Sequence, residues 1–489
     1  TRRHWLAWAM ACGAASVDAA EPADGTRLPP PVRELIDGAG VPSRHVGLMV
    51  QAVEGRSQPL AALNAETSFQ LASTAKVVTS LAALDLLGPQ YRWRTSAYLT
   101  GPLNEGRLLG DLVIVGGGNA QLRSADLQEW FERMREAGLR EVWGDIVLDR
   151  LAFSLSARDH ASTPEPTPSR PHHARPDAFT LDEGVLRVTV RSTASRLARG
   201  VTPAEVSLWP PLAGVSVVKA LGGRGCSVWA TSNVDGQQPR LMVRGQWGPG
   251  CGERELLLSP LSQAEFSARA VEGLWRASGG RLKGRVLDRN RARPGDDAWP
   301  SAGRAAPRLF MVHQSEPLPA VIRDINKSSD NLGARHLMLS LDGGFPDRAA
   351  TLAGARARLE TWLRHQGLTP GDDIALDTGS GLSHDERGKP RALVQLLRQA
   401  WVSQQARAFV DSLPVAGIDG TLAHRMTSGA ARGMAFLKTG TLLDTRALAG
   451  YVRGYSGRTY AVAALVNHPQ AQRATPALDA LIEWLVRNG

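Results

Sequence analysis

The chain has 489 residues, 43% of them hydrophobic and 21% charged. That composition excludes a disordered polymer, and that length excludes one ordinary core, so two or three globular domains are expected. The formal net charge is +10, but the 57 Lys and Arg are scattered, with no run of five and no nucleic-acid motif, so a solvated basic surface is expected and no nucleic-acid partner.

Thr1-Arg2-Arg3-His4 is basic, and Trp5 to Val17 is largely apolar or small. Val17-Asp18-Ala19 offers small residues for cleavage after Ala19, so residues 1–19 read as a secretory signal peptide. The apolar stretch falls short of the roughly 20 residues of a membrane span. Cys12 is a weak lipoprotein signal, because Met10 and a short apolar run precede it. The mature protein is therefore expected to be exported to the periplasm, with no transmembrane segment and at most a loose association with wall or membrane. Cys12 leaves with the signal, and Cys226 and Cys251 remain as an even pair. An oxidising compartment permits a disulfide between them, which is the expectation; two buried free thiols are the alternative.

His45 to Val53 reads as a strand, and Ala61 to Asn64 leads on to Leu71-Ala72-Ser73-Thr74-Ala75-Lys76. Leu81, Ala82, Leu84 and Leu87 then give a helical apolar face, stopped by Gly88-Pro89. Ser73 and Lys76, three apart, share one helix face. A serine hydroxyl becomes a useful nucleophile when a neighbour takes its proton, and a lysine of lowered pKa can do so. Ser-x-x-Lys alone is weak, since a serine there is more often a helix cap.

From about Trp93 the pattern changes. Tyr98–Thr100, Leu112–Val115 and Asp145–Leu148 read as short strands, and Gly116-Gly117-Gly118 as a turn rather than a phosphate loop. Leu127 to Ala137 is an amphipathic helix. His160 to Pro176 is a loop, in which His172-His173 lacks a third metal ligand. Val185–Val190, Val215–Val218, Ser227–Ala230 and Leu241–Val243 are further strands of a small β-rich unit, followed by a helix at Ala264–Ser278.

At about Leu309 the first pattern returns. Helices are expected at Leu318–Ile325, Asn331–Ser340, Ala353–His365 and Leu393–Trp401. Strands are expected at Phe436–Thr441, Leu448–Val452 and Tyr460–Val466, with a closing helix at Ala477–Val486 begun by Pro476. Ser329-Asp330-Asn331 and Lys438-Thr439-Gly440 lie in this part. Ser-x-x-Lys, Ser-x-Asn and Lys-Thr-Gly in that order form the motif set of class A β-lactamases and penicillin-binding proteins. Ser329 stands 256 positions after Ser73 (329 − 73), yet the motifs must meet in space. The simplest account is an α/β (α+β) catalytic domain with an antiparallel sheet flanked by helices, built from residues 20–95 and 309–489. It is interrupted at 96–308 by an inserted β-rich module in two parts.

With the insertion included, the sequence resembles the class C low-molecular-mass penicillin-binding proteins, exported D-alanyl-D-alanine carboxypeptidases that also act as endopeptidases. The resemblance covers nearly the whole mature chain. It rests on Ala72-Ser73-Thr74-x-Lys76-Val77, Lys327-x-Ser329-Asp330-Asn331, Gly379-Ser380-Gly381-Leu382-Ser383 and Leu413-Pro414-Val415-Ala416-Gly417-x-Asp419-Gly420. Lys438-Thr439-Gly440-Thr441-Leu442, Ala449-Gly450-Tyr451, Gly110-Asp111-Leu112 and Gly144 to Asp149 complete it. Three positions depart from the family pattern: Leu71 for Pro, Asn119-Ala120 for Asp-Pro, and His384 for Arg.

The resemblance implies a penicillin-binding, serine β-lactamase-like fold and a set of roles. Ser73 attacks the penultimate D-alanine carbonyl, Lys76 is the base, Ser329 relays the proton, and Asn331 orients Lys76 and the substrate. Lys438 places positive charge near the substrate's terminal carboxylate. Thr439, Gly440 and Thr441 bind the substrate, and the backbone N–H groups of Ser73 and Thr441 form the oxyanion hole. Asp149 and Phe153, in the insertion, are expected to meet the substrate's diaminopimelate-type residue. Peptidoglycan peptides and β-lactams are the implied partners, with no metal or cofactor; oligomeric state is left open. A β-lactamase is the nearest rival and needs a deacylating base, for which Glu360 and Glu386 qualify by position alone. A non-catalytic peptidoglycan-binding relative is the rival from a different class.

Overall fold

The computed structural model describes residues 28–489 apart from 56–57, 161–174, 193–203, 224, 234–238, 249, 260 and 290–306. The expected signal peptide with Cys12, and the His172-His173 pair, lie outside the described residues.

The two ends of the chain share one antiparallel sheet. Its strand order is Ala61–Leu63, Val46–Ala52, Thr459–Asn467, Thr445–Arg453 and Ala435–Thr441. Val46–Ala52 pairs along its whole length with Thr459–Asn467, from the far end of the sequence. Successive side chains in these strands point to opposite faces. Val462, Ala464 and Val466 pack on one face beneath the closing helix Thr475–Asn488 and the first helix Pro30–Gly38. Ala461, Ala463 and Leu465 pack on the other, in the core that holds the Ser73 helix. Both faces are covered, which is why Thr459–Asn467 reads as an unbroken apolar run rather than an alternation.

Ser73 sits in a short 3₁₀ turn, Ala72–Thr74, that runs into the helix Ala75–Leu87. The sequence suggests one apolar face for this helix. Instead, every residue from Ala75 to Leu84 is buried. The helices Leu318–Ser328, Asn331–Leu339, Pro390–Trp401 and Ala406–Ser412 pack around it, so it is a central helix, buried on all sides. Lys76 is the one cationic residue in that buried stretch of the helix.

The inserted region has its own core, around Trp130, Phe131, Trp247, Phe266 and Trp275. Its main sheet has the order Val286–Arg289, Ile146–Asp149, Leu112–Val115, Arg94–Leu99 and Arg308–Gln314. The first three strands are parallel. Parallel neighbours need crossovers, and the helices Ser124–Glu136 and Gln263–Ala277 supply them. The second crossover also carries two three-stranded sheets, Ala204–Trp209, Leu186–Ser192 and Glu253–Leu258, and Ser216–Gly222, Arg240–Trp247 and Cys226–Asn233. A disulfide joins Cys226 to Cys251 there. Residues 309–314 do not belong to the returning segment as expected, because Arg308–Gln314 pairs with Arg94–Leu99 inside this sheet. The strands by which the chain leaves and returns thus lie side by side. The return comes at Ser315, whose hydroxyl accepts the Trp93 N–H at 3.0 Å. No helix among the described residues is long and apolar enough to cross a membrane.

The two regions are joined by a packed seam. His336, fully buried, bonds the Gly118 carbonyl through Nδ1 at 2.8 Å and accepts the Asp177 N–H at Nε2 at 3.3 Å. A carbonyl only accepts and an amide N–H only donates, so the ring is neutral and carries its proton on Nδ1. Burial lowers its pKa to about 4, in keeping with that state. Phe153 packs against His336 and Phe345, with ring centroids 5.2 and 5.9 Å away, and directly against Gly118, where a Cβ would stand 2.6 Å from the Phe153 ring. Phe153→Ala is expected to cost about 3 to 5 kcal/mol of stability, read as a lower urea midpoint.

Candidate active site

Two residues take left-handed backbone conformations beside the motif serines. Ala72 has φ +45°, and Ser329, which caps the helix Leu318–Ser328, has φ +61°. Such conformations cost non-glycine residues of order 1–3 kcal/mol and persist only where the surroundings impose them. At Ala72 the surroundings are visible. Leu71 donates its N–H to the Glu386 carbonyl at 3.0 Å, and Thr74 Oγ1 donates to the Leu71 carbonyl at 2.6 Å. Gly381 lies so close that a Cβ there would fall 2.0 Å from the Ala72 carbonyl oxygen. On the other side, a Cβ at Gly440 would sit 2.9 Å from the Ala447 Cβ and 3.0 Å from the Leu71 carbonyl. The glycine of Lys-Thr-Gly therefore lets the strand Ala435–Thr441 run against the Ser73 turn.

The three motifs converge on Lys76, which is wholly buried. Its Nζ donates to Ser73 Oγ at 3.0 Å, to Asn331 Oδ1 at 2.7 Å and to the Ser380 carbonyl at 2.5 Å. Burial lowers its pKa to about 8, against the opposing pull of the Asp330 and Glu386 carboxylates. Lys438 is also wholly buried and donates to Ser329 Oγ and the Thr439 carbonyl, each at 2.9 Å. Burial, and then the neighbouring Lys76, drive its pKa well below the ordinary lysine value. The result is two short hydrogen-bonded runs, Ser73–Lys76–Asn331 and Ser329–Lys438, in which neither amine holds its proton firmly.

The strand that carries Lys438 lies at the sheet edge. The segment Pro414–Ala416 covers the edge only as far as Leu437, whose N–H reaches the Pro414 carbonyl at 2.8 Å. Backbone groups alternate in direction along a strand, so Thr439 and Thr441 turn theirs the same way as Leu437, along the part left open. Thr439 Oγ1 meets Thr421 Oγ1 at 2.7 Å, while Thr441 is exposed. Lys327 ties the covering segment down through Asp419 at 2.7 Å and the Leu413 carbonyl at 2.6 Å. His384, where the family pattern has Arg, is exposed and bonds Gln70 Nε2 through Nδ1 at 2.8 Å.

Ser73, Lys76, Ser329, Asn331 and Lys438 are thus brought together, with Thr439, Gly440 and Thr441 alongside. Asp149 and Phe153, in the inserted region, are held by contacts of their own. Asp149 is buried, accepts the Leu151 N–H at 2.9 Å and faces Arg289 at 3.9 Å. Phe153 is a packing residue of the seam. Glu360 is exposed and paired with Arg364 at 3.3 Å. The Ser380 carbonyl, Gln70 and Thr421 are site groups that sequence reasoning missed. Only Ser380 had a signal, its place between two glycines.

Residues 32–487 match the model of the D-Ala-D-Ala carboxypeptidase 3 (S13) family. The chain belongs to this family. It is 24% identical over 432 residues to D-alanyl-D-alanine carboxypeptidase DacB of Haemophilus influenzae, across 86% of this chain and 85% of that one. It is 28% identical over 463 residues to the D-alanyl-D-alanine carboxypeptidase of Actinomadura sp. (strain R39), across 92% and 81%. In fold it is similar to penicillin binding protein 4 (dacB) from Haemophilus influenzae, with a TM-score of 0.70 and 21% identity over 92% of this chain and 99% of that one. That protein has also been solved complexed with a β-lactam. The S13 chain described here is a serine D-Ala-D-Ala carboxypeptidase. Its Lys76 side chain, followed by NMR of ¹³C-labelled lysine, is expected to titrate with a midpoint near 8 rather than near 10.5.

Proposed function

We propose that Ser73 is the nucleophile and Lys76 the general base of this D-Ala-D-Ala hydrolase. The observation that carries the reading is the 3.0 Å contact from Lys76 Nζ to Ser73 Oγ, made by an amine whose pKa burial has brought to about 8. A general base works best when its pKa lies near the working pH.

Ser73 Oγ attacks the carbonyl of the penultimate D-alanine while its proton passes to Lys76. The oxyanion that forms is met by the N–H groups of Ser73 and Thr441, a donor pair in which each member is worth about 3 kcal/mol. Collapse breaks the C–N bond, and the leaving amine receives through Ser329 the proton that Lys76 took from Ser73, which returns Lys76 to the free amine. The ester on Ser73 is then hydrolysed by water, with Lys76 again taking the proton. Asn331 holds Lys76 in place and hydrogen-bonds the substrate amide. Lys438 has no carboxylate partner at hydrogen-bond distance among the described residues, so the substrate's terminal carboxylate supplies the counter-charge that would hold it protonated. Thr439 and Thr441 bind the same carboxylate along the open strand edge. The catalytic unit is the two-segment region at the chain ends, and the inserted region is its accessory module.

β-Lactams mimic the D-Ala-D-Ala end and are expected to acylate Ser73 stably. Glu386, the candidate deacylating base of a β-lactamase, has both carboxylate oxygens occupied by backbone N–H groups, which favours slow deacylation. A wall substrate and the Cys226–Cys251 disulfide both fit a periplasmic location. Intact mass after incubation with benzylpenicillin tests the reading. A persistent adduct of one penicillin is expected on the wild type and none on Ser73→Ala. Labelling retained by Ser73→Ala would overturn the assignment, and rapid consumption of penicillin without an adduct would mark a β-lactamase. The acylation rate is expected to rise with pH through about 8, as Lys76 loses its proton. At pH 6 it should be roughly a hundredfold below its plateau, a shortfall measurable by stopped-flow competition with a fluorescent penicillin.

A further inference from the structure

Glu386 is a carboxylate with no exposed surface that the mechanism above does not use. Its Oε1 accepts the N–H of Thr378 at 2.9 Å and of Gly379 at 2.5 Å, and its Oε2 accepts the N–H of Gly381 at 2.5 Å. These three donors flank Ser380, whose carbonyl receives Lys76 Nζ. A second tie comes from the helix of Lys76 itself, where Thr79 Oγ1 donates to the Gly379 carbonyl at 2.7 Å. The Glu386 carbonyl meanwhile accepts the Leu71 N–H, just before the Ser73 turn. One residue thus braces both the loop that faces the lysine and the turn that carries the serine.

The bonding fits an anion. Both oxygens face N–H donors, whereas a neutral acid would aim its own O–H at one of them. Burial pushes the Glu386 pKa up, while these donors and the Lys76 charge pull it down. Among the described residues, the charged groups acting on Lys76 are Asp330, at the cap of the helix Asn331–Leu339, Glu386 and Lys438; Arg335 also acts on Glu386.

We propose that Glu386 is the positioning residue of the lysine base: its carboxylate fixes the loop Thr378–Gly381 so that the Ser380 carbonyl holds Lys76 on Ser73, and its charge sets the pH at which that lysine is free to act. The proposal rests on Lys76 being the base. Two consequences follow when the carboxylate is removed. The ammonium loses a nearby anion, and it also loses a firm acceptor in the Ser380 carbonyl. Both disfavour the charged form, so both lower the Lys76 pKa. The sign separates this role from a structural one, which would lower the amount of active enzyme without moving its titration.

The test is the pH profile of acylation by benzylpenicillin for wild type, Glu386→Gln and Lys76→Ala. Glu386→Gln leaves one amide nitrogen facing the Gly381 N–H, so the loop shifts. The plateau rate is expected to fall by between about ten- and a hundredfold, and the midpoint of the rise to move to lower pH than in wild type. A lower plateau with an unmoved midpoint would reduce Glu386 to a structural residue and overturn the proposal. Lys76→Ala acylating at the wild-type rate would instead overturn the reading of Lys76 as base, whatever Glu386→Gln does. If Glu386→Gln fails to fold by circular dichroism and thermal melting, Thr79→Val decides the matter. It removes the second tie on the loop and keeps the carboxylate. A midpoint moved to lower pH supports control of the lysine through the Ser380 loop, and an unmoved one overturns it.

Discussion

Lys76 carries an amine into a core where it has no exposed surface, and much of the site exists to make that tolerable. A buried ammonium is expensive unless it is surrounded by acceptors, and a buried neutral amine is easily protonated only if an anion is near. Here the acceptors come from three separate stretches: Ser73 on its own turn, Asn331 after the Ser-x-Asn helix cap, and the Ser380 carbonyl of a glycine-flanked loop. The anions, Asp330 and Glu386, oppose burial without cancelling it. The balance leaves an amine that gains and loses a proton close to neutral pH, which an exposed lysine would not do.

The same site gathers backbone strain. Ala72 and Ser329 are both left-handed, and each stands at or beside a motif serine. Neither has the glycine freedom that would make this easy. The glycines lie opposite instead. Gly381 and Gly440 flank the Ser73 turn and leave room for its carbonyl and its strand neighbour. Close approach of backbone is thus purchased where side chains are missing, and conformational strain falls at Ser329 and on the residue just before Ser73.

The inserted region closes over one side of this core through contacts of shape rather than of charge. Phe153 fills the space over Gly118, and the neutral His336 ring bridges Gly118 and the Asp177 backbone. His336 lies on the helix that begins at Asn331, so the seam and the site share one rigid element. A well-packed seam of this kind holds the two regions in one relation, because interiors resist small displacements.

Much of this was legible in the sequence. Ser-x-x-Lys, Ser-x-Asn and Lys-Thr-Gly mark short-range spacings that survive folding unchanged, and their order, with the long interval between the first and second, implies a split domain. Helices such as Leu352–His365 and Gln263–Ala277 were legible because one face of each meets water. Other features depended on contacts between distant segments. The Ser73 helix is buried all round because four helices from later in the chain enclose it, and no local pattern reports that. Phe153 packs into the seam against Gly118 and His336, a fate set by what packs on it. Residues 309–314 join the accessory sheet because Arg94–Leu99 offers them a free edge. Glu386 shows the limit most clearly: its spacing from Ser380 is visible in the sequence, but three backbone donors converging on one carboxylate exist only once the loop has closed. Local chemistry and its order are written along the chain, whereas burial, strain and the proton affinity of Lys76 arise from segments that meet only in the folded protein.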